Sequence, residues 1–168
     1  MATASFGSLG LEQAPDRAQP YRHDAVLGEV AVSLSRLQYL NSLAPAGGID
    51  ANVDEMARYA LLQLDDGTLS GHRVLSSEMM AELHRPQIVV GADWTPSARV
   101  QNLHYALGWF TADVRGGHLV YHNGINPGFR ATIVLTPYLK AGVVVLTNGE
   151  SDRFTEAAAR GLLEQLLR

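Results

Sequence analysis

The nine residues YHNGINPGF (121–129) decide how the second half of this 168-residue chain folds. Asn-Gly and Pro-Gly are common turn-forming pairs. Residues 118–123 (HLVYHN) precede the turn pairs and residues 129–137 (FRATIVLTP) follow them, and both runs are rich in the β-branched and aromatic residues that favour strands. The stretch therefore predicts two strands joined by turn residues, with His122-Asn123-Gly124 ending the first strand.

Two further runs of the same character flank this pair: YALGWFTADV (105–114) and GVVVLTN (142–148). Gly, Pro or polar breaks separate the four runs at short intervals, which predicts a four-stranded antiparallel meander. The unbroken apolar run Val143 to Leu146 predicts a strand buried on both faces.

The last residues, SDRFTEAAARGLLEQLLR (151–168), predict an amphipathic helix packed on this sheet. Helical spacing places four apolar residues on one stripe: Phe154, Ala158, Leu162 and Leu166. Three residues are small enough for close packing on a sheet: Ala157, Ala158 and Gly161.

Two more helices are predicted upstream of the sheet. The first follows a cap at Asp50 or Asn52 and ends at Asp65-Asp66-Gly67, and the second begins at Ser76 or Ser77 and stops before Pro86. The fold class is thus α+β, in a single domain. We expect residues 1–50 to be mostly irregular with a helical turn near 34–40, residues 51–100 to be helical, and residues 101–168 to form the sheet and the last helix. Fifty loose residues are long for a compact domain, which indicates that something absent supports them.

Composition excludes several function classes. The chain has 46% hydrophobic and 18% charged residues and a net charge of −4, and its only lysine is Lys140, which argues against nucleic-acid binding. Without cysteine it has no disulfide, thiolate nucleophile or cysteine zinc site. The amino end lacks the basic and apolar regions of a signal peptide, and no run is long enough for a membrane span, so the chain as given is expected to be cytoplasmic.

Other candidate sites have ordinary explanations. His118 and His122 have the spacing of a metal pair on a helix, but in a strand four residues span roughly 13 Å, so we expect no metal site. Asp65-Asp66 could act as the acid and base of a glycosidase-type reaction, yet adjacent acids before a glycine are more often solvated turn residues. No nucleotide-binding glycine motif and no Gly-x-Ser-x-Gly occurs, and no cofactor is expected.

The order of several segments resembles the carboxy-terminal part of the serine β-lactamase and penicillin-binding-protein family, in its class C β-lactamase and esterase branch. The third motif of that family is Lys-Thr-Gly or a His-x-Gly variant, which His122-Asn123-Gly124 matches. Further segments resemble the family in the same order: APAGGIDANVDEMARYALLQL (44–64), VLSSEMMAELHRPQ (74–87) and YALGWF (105–110). The resemblance covers about residues 44–168, and MATASF (1–6) looks like a segment shortly after the second family motif.

The resemblance implies roles for the third motif. His122 would take the catalytic side-chain role, Asn123 and Gly124 would flank the substrate cleft, and the Ile125 N–H would be one of two oxyanion-hole donors. The substrate would be a small-molecule or peptide-like acyl compound.

The chain departs from the family at the nucleophile. The family uses a Ser-x-x-Lys, but Lys140 follows Pro137 at that spacing, so the motif is absent. Tyr39-Leu40-Asn41 has the form of the family's Tyr-x-Asn but lies too close to residues 44–48, and we interpret it as a coincidence.

Three hypotheses follow. The chain is a serine hydrolase fragment that is inactive alone, a non-catalytic binding or assembly module, or an enzyme that uses another serine, such as Ser76 or Ser77 near His84. The first predicts that Val143 to Leu146 form an open sheet edge, which pairs with a second copy or with a partner that supplies the missing half. The alternative that YHNGINPGF is an exposed polar turn without a functional role also stays open.

Overall fold

A six-stranded antiparallel sheet forms the centre of the computed structural model, which describes residues 3–91, 100–114 and 117–166. From one edge to the other the strands follow the order β12 (Ala141–Thr147), β11 (Phe129–Thr136), β10 (Gly117–Asn126), β9 (Phe110–Val114), β8 (Gln101–Tyr105) and β7 (Ile88–Val89). The α+β class and the carboxy-terminal helix on the sheet are confirmed. The sheet has six strands rather than the predicted four.

The run YALGWFTADV accounts for part of this difference. β8 ends at Tyr105, the chain turns, and β9 begins at Phe110. The Ala106 N–H donates to the Trp109 carbonyl (2.7 Å), and Gly108 has φ +78°, a conformation that glycine adopts without strain. The single strand predicted at residues 105–114 is therefore the last residue of β8, a turn and the whole of β9. The predicted helical content around residues 92–99 lies outside the described residues.

Two helices cover opposite faces of the sheet. Helix α3 (Val53–Leu64) contributes Ala60 to one core cluster, and helix α5 (Asp152–Leu166) contributes Ala159 to the other. The Asn52 side chain caps α3 by accepting from the Glu55 N–H (2.9 Å). Helix α4 (Ser77–His84) is capped by Ser76. The predicted caps and ends of both upstream helices are confirmed.

The predicted packing stripe of α5 is wrong. Among the described side chains of α5, Thr155 and Ala159 are buried, whereas Phe154 and Leu162 are 59% and 44% exposed. The helix is rotated by about one residue, so that small side chains face the sheet and α5 approaches it closely, next to Tyr121 and Val134. Of the predicted small residues, Ala157 and Gly161 are exposed and Ala158 is half-buried. The Leu166 side chain lies outside the described residues.

Strand β12 is half-buried, so the prediction of burial on both faces is also wrong. Helices α3 and α5 contact its two faces, but β12 is the last strand of the sheet, and its far edge pairs with no strand among the described residues. Its sequence AGVVVLT carries no charge. Such an edge is a template for pairing with another chain.

The first fifty residues differ from the mostly irregular chain that the sequence predicts. They form short elements: β1 (Ser5–Phe6), α1 (Gly7–Gln13), β2 (Tyr21–Asp24), β3 (Gly28–Ala31), a 3₁₀ helix (Leu34–Leu37), α2 (Leu40–Gly47) and β4 (Ile49–Asp50). Backbone hydrogen bonds tie them to the rest of the chain, among them Gly7 N–H to Gly48 O (2.7 Å) and Tyr21 N–H to Asn148 O (2.9 Å). Two small hairpin strands, β5 (Thr68–Leu69) and β6 (His72–Arg73), follow α3. Among the described residues, no helix combines the length and apolar character that crossing a membrane requires.

Candidate active-site edge

The end of β10 extends beyond its neighbour on one side. β11 pairs with β10 as far as Asn126, whereas β9 begins at Phe110, which pairs with Tyr121. Residues 122–126 therefore lie beside β11 on one side, and on the other side no strand of the described residues pairs with them. We call this unpaired side the open edge of β10.

The hairpin register sets which main-chain groups point to the open edge. Pro127 and Gly128 join Asn126 to its partner Phe129, and a two-residue turn closes on a hydrogen-bonded pair. Hydrogen-bonded pairs recur at every second residue of an antiparallel ladder. The N–H and C=O groups of residues 122, 124 and 126 therefore point to β11, and those of residues 123 and 125 point to the open edge.

The His122 side chain lies at the start of this edge. Its Nδ1 is 2.6 Å from the main-chain oxygen of Asn123, and its Nε2 is 3.0 Å from the Tyr105 hydroxyl. The Phe110 ring lies beside the imidazole, with ring centroids 5.6 Å apart. The contact with the Asn123 oxygen agrees with the alternation above, because that oxygen points away from β11.

Of the other three predicted site residues, Asn123 and Ile125 direct main-chain groups to the edge, whereas the main-chain groups of Gly124 point to β11. The Asn123 side-chain oxygen accepts from the Thr132 hydroxyl (3.2 Å), across the ladder to β11. Gly124 lies opposite Ala131, and a Cβ at Gly124 would be 3.3 Å from the Ala131 Cβ. The Ile125 side chain is 65% exposed. By the alternation, the N–H groups of Asn123 and Ile125 face the open edge.

The turn that ends β10 is held from two directions. Gly128 has φ +78°, donates its N–H to the Glu150 carboxylate (2.9 Å), and lies against the buried Pro20. The Arg130 guanidinium donates to the carbonyls of Asn126 (3.0 Å) and Phe129 (2.8 Å) and forms an ion pair with Asp152 at the start of α5. These contacts fix the position of the open edge relative to the rest of the sheet.

Tyr39 and Asn41 have separate structural partners. The Tyr39 hydroxyl donates to the Asn126 side chain (2.8 Å), four residues or roughly 13 Å along the strand from His122. The Asn41 side chain accepts from the Ser8 N–H (3.0 Å) and so holds the amino-terminal segment. Tyr39 therefore does not meet His122, in keeping with the interpretation of Tyr39-Leu40-Asn41 as a coincidence.

The serine alternative has no support in the geometry. The Ser76 hydroxyl caps α4, and the Ser77 hydroxyl donates to Asp66. His84 instead bonds the Gln63 side chain (2.8 Å), and burial lowers the pKa of His84. Neither serine therefore has His84 as a base.

The remaining candidates are ion-paired surface groups. Asp65 pairs with Lys140 (3.4 Å) and Asp66 with Arg73 (3.6 Å). His118 contacts Asp113 (3.3 Å), whose pKa is lowered first by the hydrogen bond from Asn102 and then by His118. Within residues 3–91, 100–114 and 117–166, no cluster of histidine and acidic side chains could hold a metal ion.

The family model for β-lactamase matches residues 1–167. The chain belongs to the β-lactamase family. None of the curated proteins is detectably similar in sequence.

Solved structures share the β-lactamase-family fold. The octameric penicillin-binding protein homologue from Pyrococcus abyssi is 21% identical with a TM-score of 0.75, and the match covers 99% of this chain and 34% of that chain. A penicillin-binding protein from Bacillus halodurans is 17% identical (TM-score 0.68, 95% of this chain, 44% of that chain). A D-stereospecific amidohydrolase from Streptomyces sp. is 15% identical (TM-score 0.61, 87% of this chain, 39% of that chain). This β-lactamase-family chain thus spans less than half the length of each of these structures.

Proposed function

We propose that this chain forms the substrate-holding side of a serine acyl hydrolase that acts on an ester, amide or β-lactam, as one partial domain. The main support for the proposal is the open edge of β10: within the described part of the chain no strand pairs with the main-chain groups of Asn123 and Ile125 there, and His122 lies at its start. Membership in the β-lactamase family supports serine hydrolysis as the reaction class.

The edge suits an acyl substrate in two ways. An extended substrate can pair with the open edge as a further strand would, through the N–H groups of Asn123 and Ile125. The Ile125 N–H then donates to the substrate carbonyl oxygen, and this hydrogen bond strengthens as negative charge develops on that oxygen during attack. His122 borders the same edge and places a polar side chain at its start, next to Asn123.

We propose that the nucleophile comes from sequence outside these 168 residues. Ser-x-x-Lys places base and nucleophile on one helix face, but Lys140 is the only lysine, and its ammonium group pairs with Asp65 instead. By itself the chain should therefore bind acyl substrates weakly and hydrolyse none of them.

Amide chemical shifts in the isolated chain test substrate binding at the edge. On titration with N-acetyl-D-alanyl-D-alanine, we expect the largest shifts at the N–H groups of Asn123 and Ile125 and smaller ones at Gly124, whose N–H faces β11. His122→Ala should reduce them, and His72→Ala, an exposed histidine on β6, is the matched control. Shifts that are absent, or equal along the whole of β10, would contradict the proposed site.

The open edge of β12 favours a second role, assembly. This edge is apolar and uncharged, and it has no strand partner among the described residues. We propose that a second copy of the chain, or the polypeptide that supplies the nucleophile, pairs there. The Pyrococcus abyssi homologue is octameric, which shows that relatives of this fold can assemble.

Hydrogen exchange at raised protein concentration tests this assembly. The ladder alternation directs the N–H groups of Val144 and Leu146 outward and those of Val143 and Val145 toward β11. Association through this edge should slow exchange at Val144 and Leu146 as concentration rises, together with an increase in sedimentation coefficient. A monomer at every concentration would rule out pairing between copies, and a co-isolated polypeptide would then have to protect the same two amides.

A further inference from the structure

Tyr105 and His122 come together across a strand that separates them. Tyr105 ends β8 and pairs with Phe110, the first residue of β9, while Phe110 also pairs with Tyr121 on β10. The Tyr105 ring meets Phe110 edge to face, with centroids 4.8 Å apart, and its hydroxyl extends beyond Phe110 to reach His122 Nε2 at 3.0 Å. Phe110 is thus a spacer that contacts both rings.

The two partners of His122 define its neutral form. The Asn123 carbonyl oxygen can only accept a hydrogen bond, so Nδ1, 2.6 Å away, must carry the proton. In a neutral imidazole Nε2 then has a lone pair, and the Tyr105 hydroxyl, which can donate, is the group that meets it. The contacts therefore select the Nδ1–H tautomer.

We propose that Tyr105 is a positioning residue for His122: its hydroxyl holds the imidazole against the open edge and keeps the proton on Nδ1. The functional role of this contact rests on the proposed function, because the His122 ring borders the edge at which the substrate would pair. Because both ring nitrogens are hydrogen-bonded, the His122 imidazole is held in one orientation beside the open edge. A ring free to rotate would instead release the Asn123 carbonyl and change the first hydrogen-bonding position of the edge.

The Tyr105→Phe variant isolates the hydroxyl, because the ring that packs on Phe110 is kept. Tyr39→Phe is the matched control, since Tyr39 also donates one hydroxyl hydrogen bond to a residue of β10, at Asn126 (2.8 Å). The readout is the pair of ring ¹⁵N chemical shifts of His122 at a pH where the ring is neutral, which report the tautomer without any substrate.

In the native chain we expect the Nδ1–H tautomer to predominate. In Tyr105→Phe the ratio of Nδ1–H to Nε2–H should fall about five-fold, the effect of losing one neutral hydrogen bond, and in Tyr39→Phe it should not change. A purely structural role for Tyr105 would leave the ratio unchanged.

Either of two results would overturn the inference: a native His122 that is mainly Nε2–H, or a folded Tyr105→Phe variant with the native ratio. The first needs no variant, so the test stands even if Tyr105→Phe does not fold. Failure of the peptide titration would reject the proposed function and leave the tautomer result intact, so the two failures are distinguishable.

Discussion

Replacing Gly128 by alanine should destabilise the chain through two separate effects. Gly128 has φ +78°, where an L side chain costs about 1–2 kcal/mol relative to glycine. A Cβ would also lie 2.3 Å from the Cβ of the buried Pro20, and overpacking of this kind costs about 1–3 kcal/mol. The sum is a loss of about 2–5 kcal/mol in the free energy of unfolding.

Gly28→Ala is the matched control for this loss. Gly28 has φ +74°, but a Cβ there would meet nothing within 4 Å, so only the conformational cost of about 1–2 kcal/mol applies. Urea denaturation followed by circular dichroism measures both variants. The difference of about 1–3 kcal/mol between them is the contribution of the contact with Pro20.

A double-mutant cycle with Pro20→Gly checks the cause. Removing the Pro20 side chain takes away the 2.3 Å contact but leaves the Pro20 Cα 3.0 Å from the new methyl, so Gly128→Ala should cost less in that background than in the native chain and still more than Gly28→Ala. If Gly128→Ala and Gly28→Ala destabilise equally in the native background, the turn does not rest on Pro20, and the described anchoring of the open edge is refuted.

Three further predictions concern pH, α5 and the turn. Burial raises the pKa of Asp50 from 3.8 to about 6, so the folded carboxyl holds its proton more tightly than the unfolded one. The free energy of unfolding should therefore fall by about 1–2 kcal/mol as pH rises from about 4 to about 6, after allowing for partial solvent access. Asp50→Asn should remove this pH dependence in denaturation measured across that range. Ala159→Leu should lower the melting temperature through a loss of about 1–3 kcal/mol, whereas Leu162→Ala should change stability by under about 0.5 kcal/mol; the opposite ranking would restore the predicted stripe. Arg130→Gln should cost about 2–3 kcal/mol in urea denaturation, because it removes charge-assisted hydrogen bonds to two carbonyls and the pairing with Asp152, and a neutral result would mean that these bonds do not hold the turn.

Local signals predicted the two helices upstream of the sheet well. Asn52 and Ser76 accept hydrogen bonds from N–H groups three residues ahead, and a polar side chain before a helical pattern shows this directly in the sequence. The helical phase of α5 was harder, because Phe154 and Leu162 are the larger apolar residues, yet close approach to the sheet selects Thr155 and Ala159. A hydrophobic pattern measures apolar character and gives no information on how closely two elements approach.

The candidate site shows a similar division. The His122-Asn123-Gly124 motif indicates His122 directly, and Ile125 is the next residue along the strand. No motif indicates Tyr105, because its contact with His122 depends on the turn at Ala106–Trp109 and on the register of three strands. Treating residues 105–114 as one strand hides that turn. Two aromatic residues seventeen positions apart carry no local signal of a shared hydrogen bond.

The mass of the folded chain after incubation with a fluorophosphonate, and separately with a penicillin, tests most directly whether a nucleophile is present. Both reagents trap an activated serine as a stable adduct. We predict an unchanged mass, because no serine of this chain is followed three residues later by lysine and the hydroxyls of Ser76 and Ser77 bond a backbone N–H and Asp66. A stoichiometric adduct on a serine within residues 1–168 would contradict it, and peptide mapping would then identify the nucleophile.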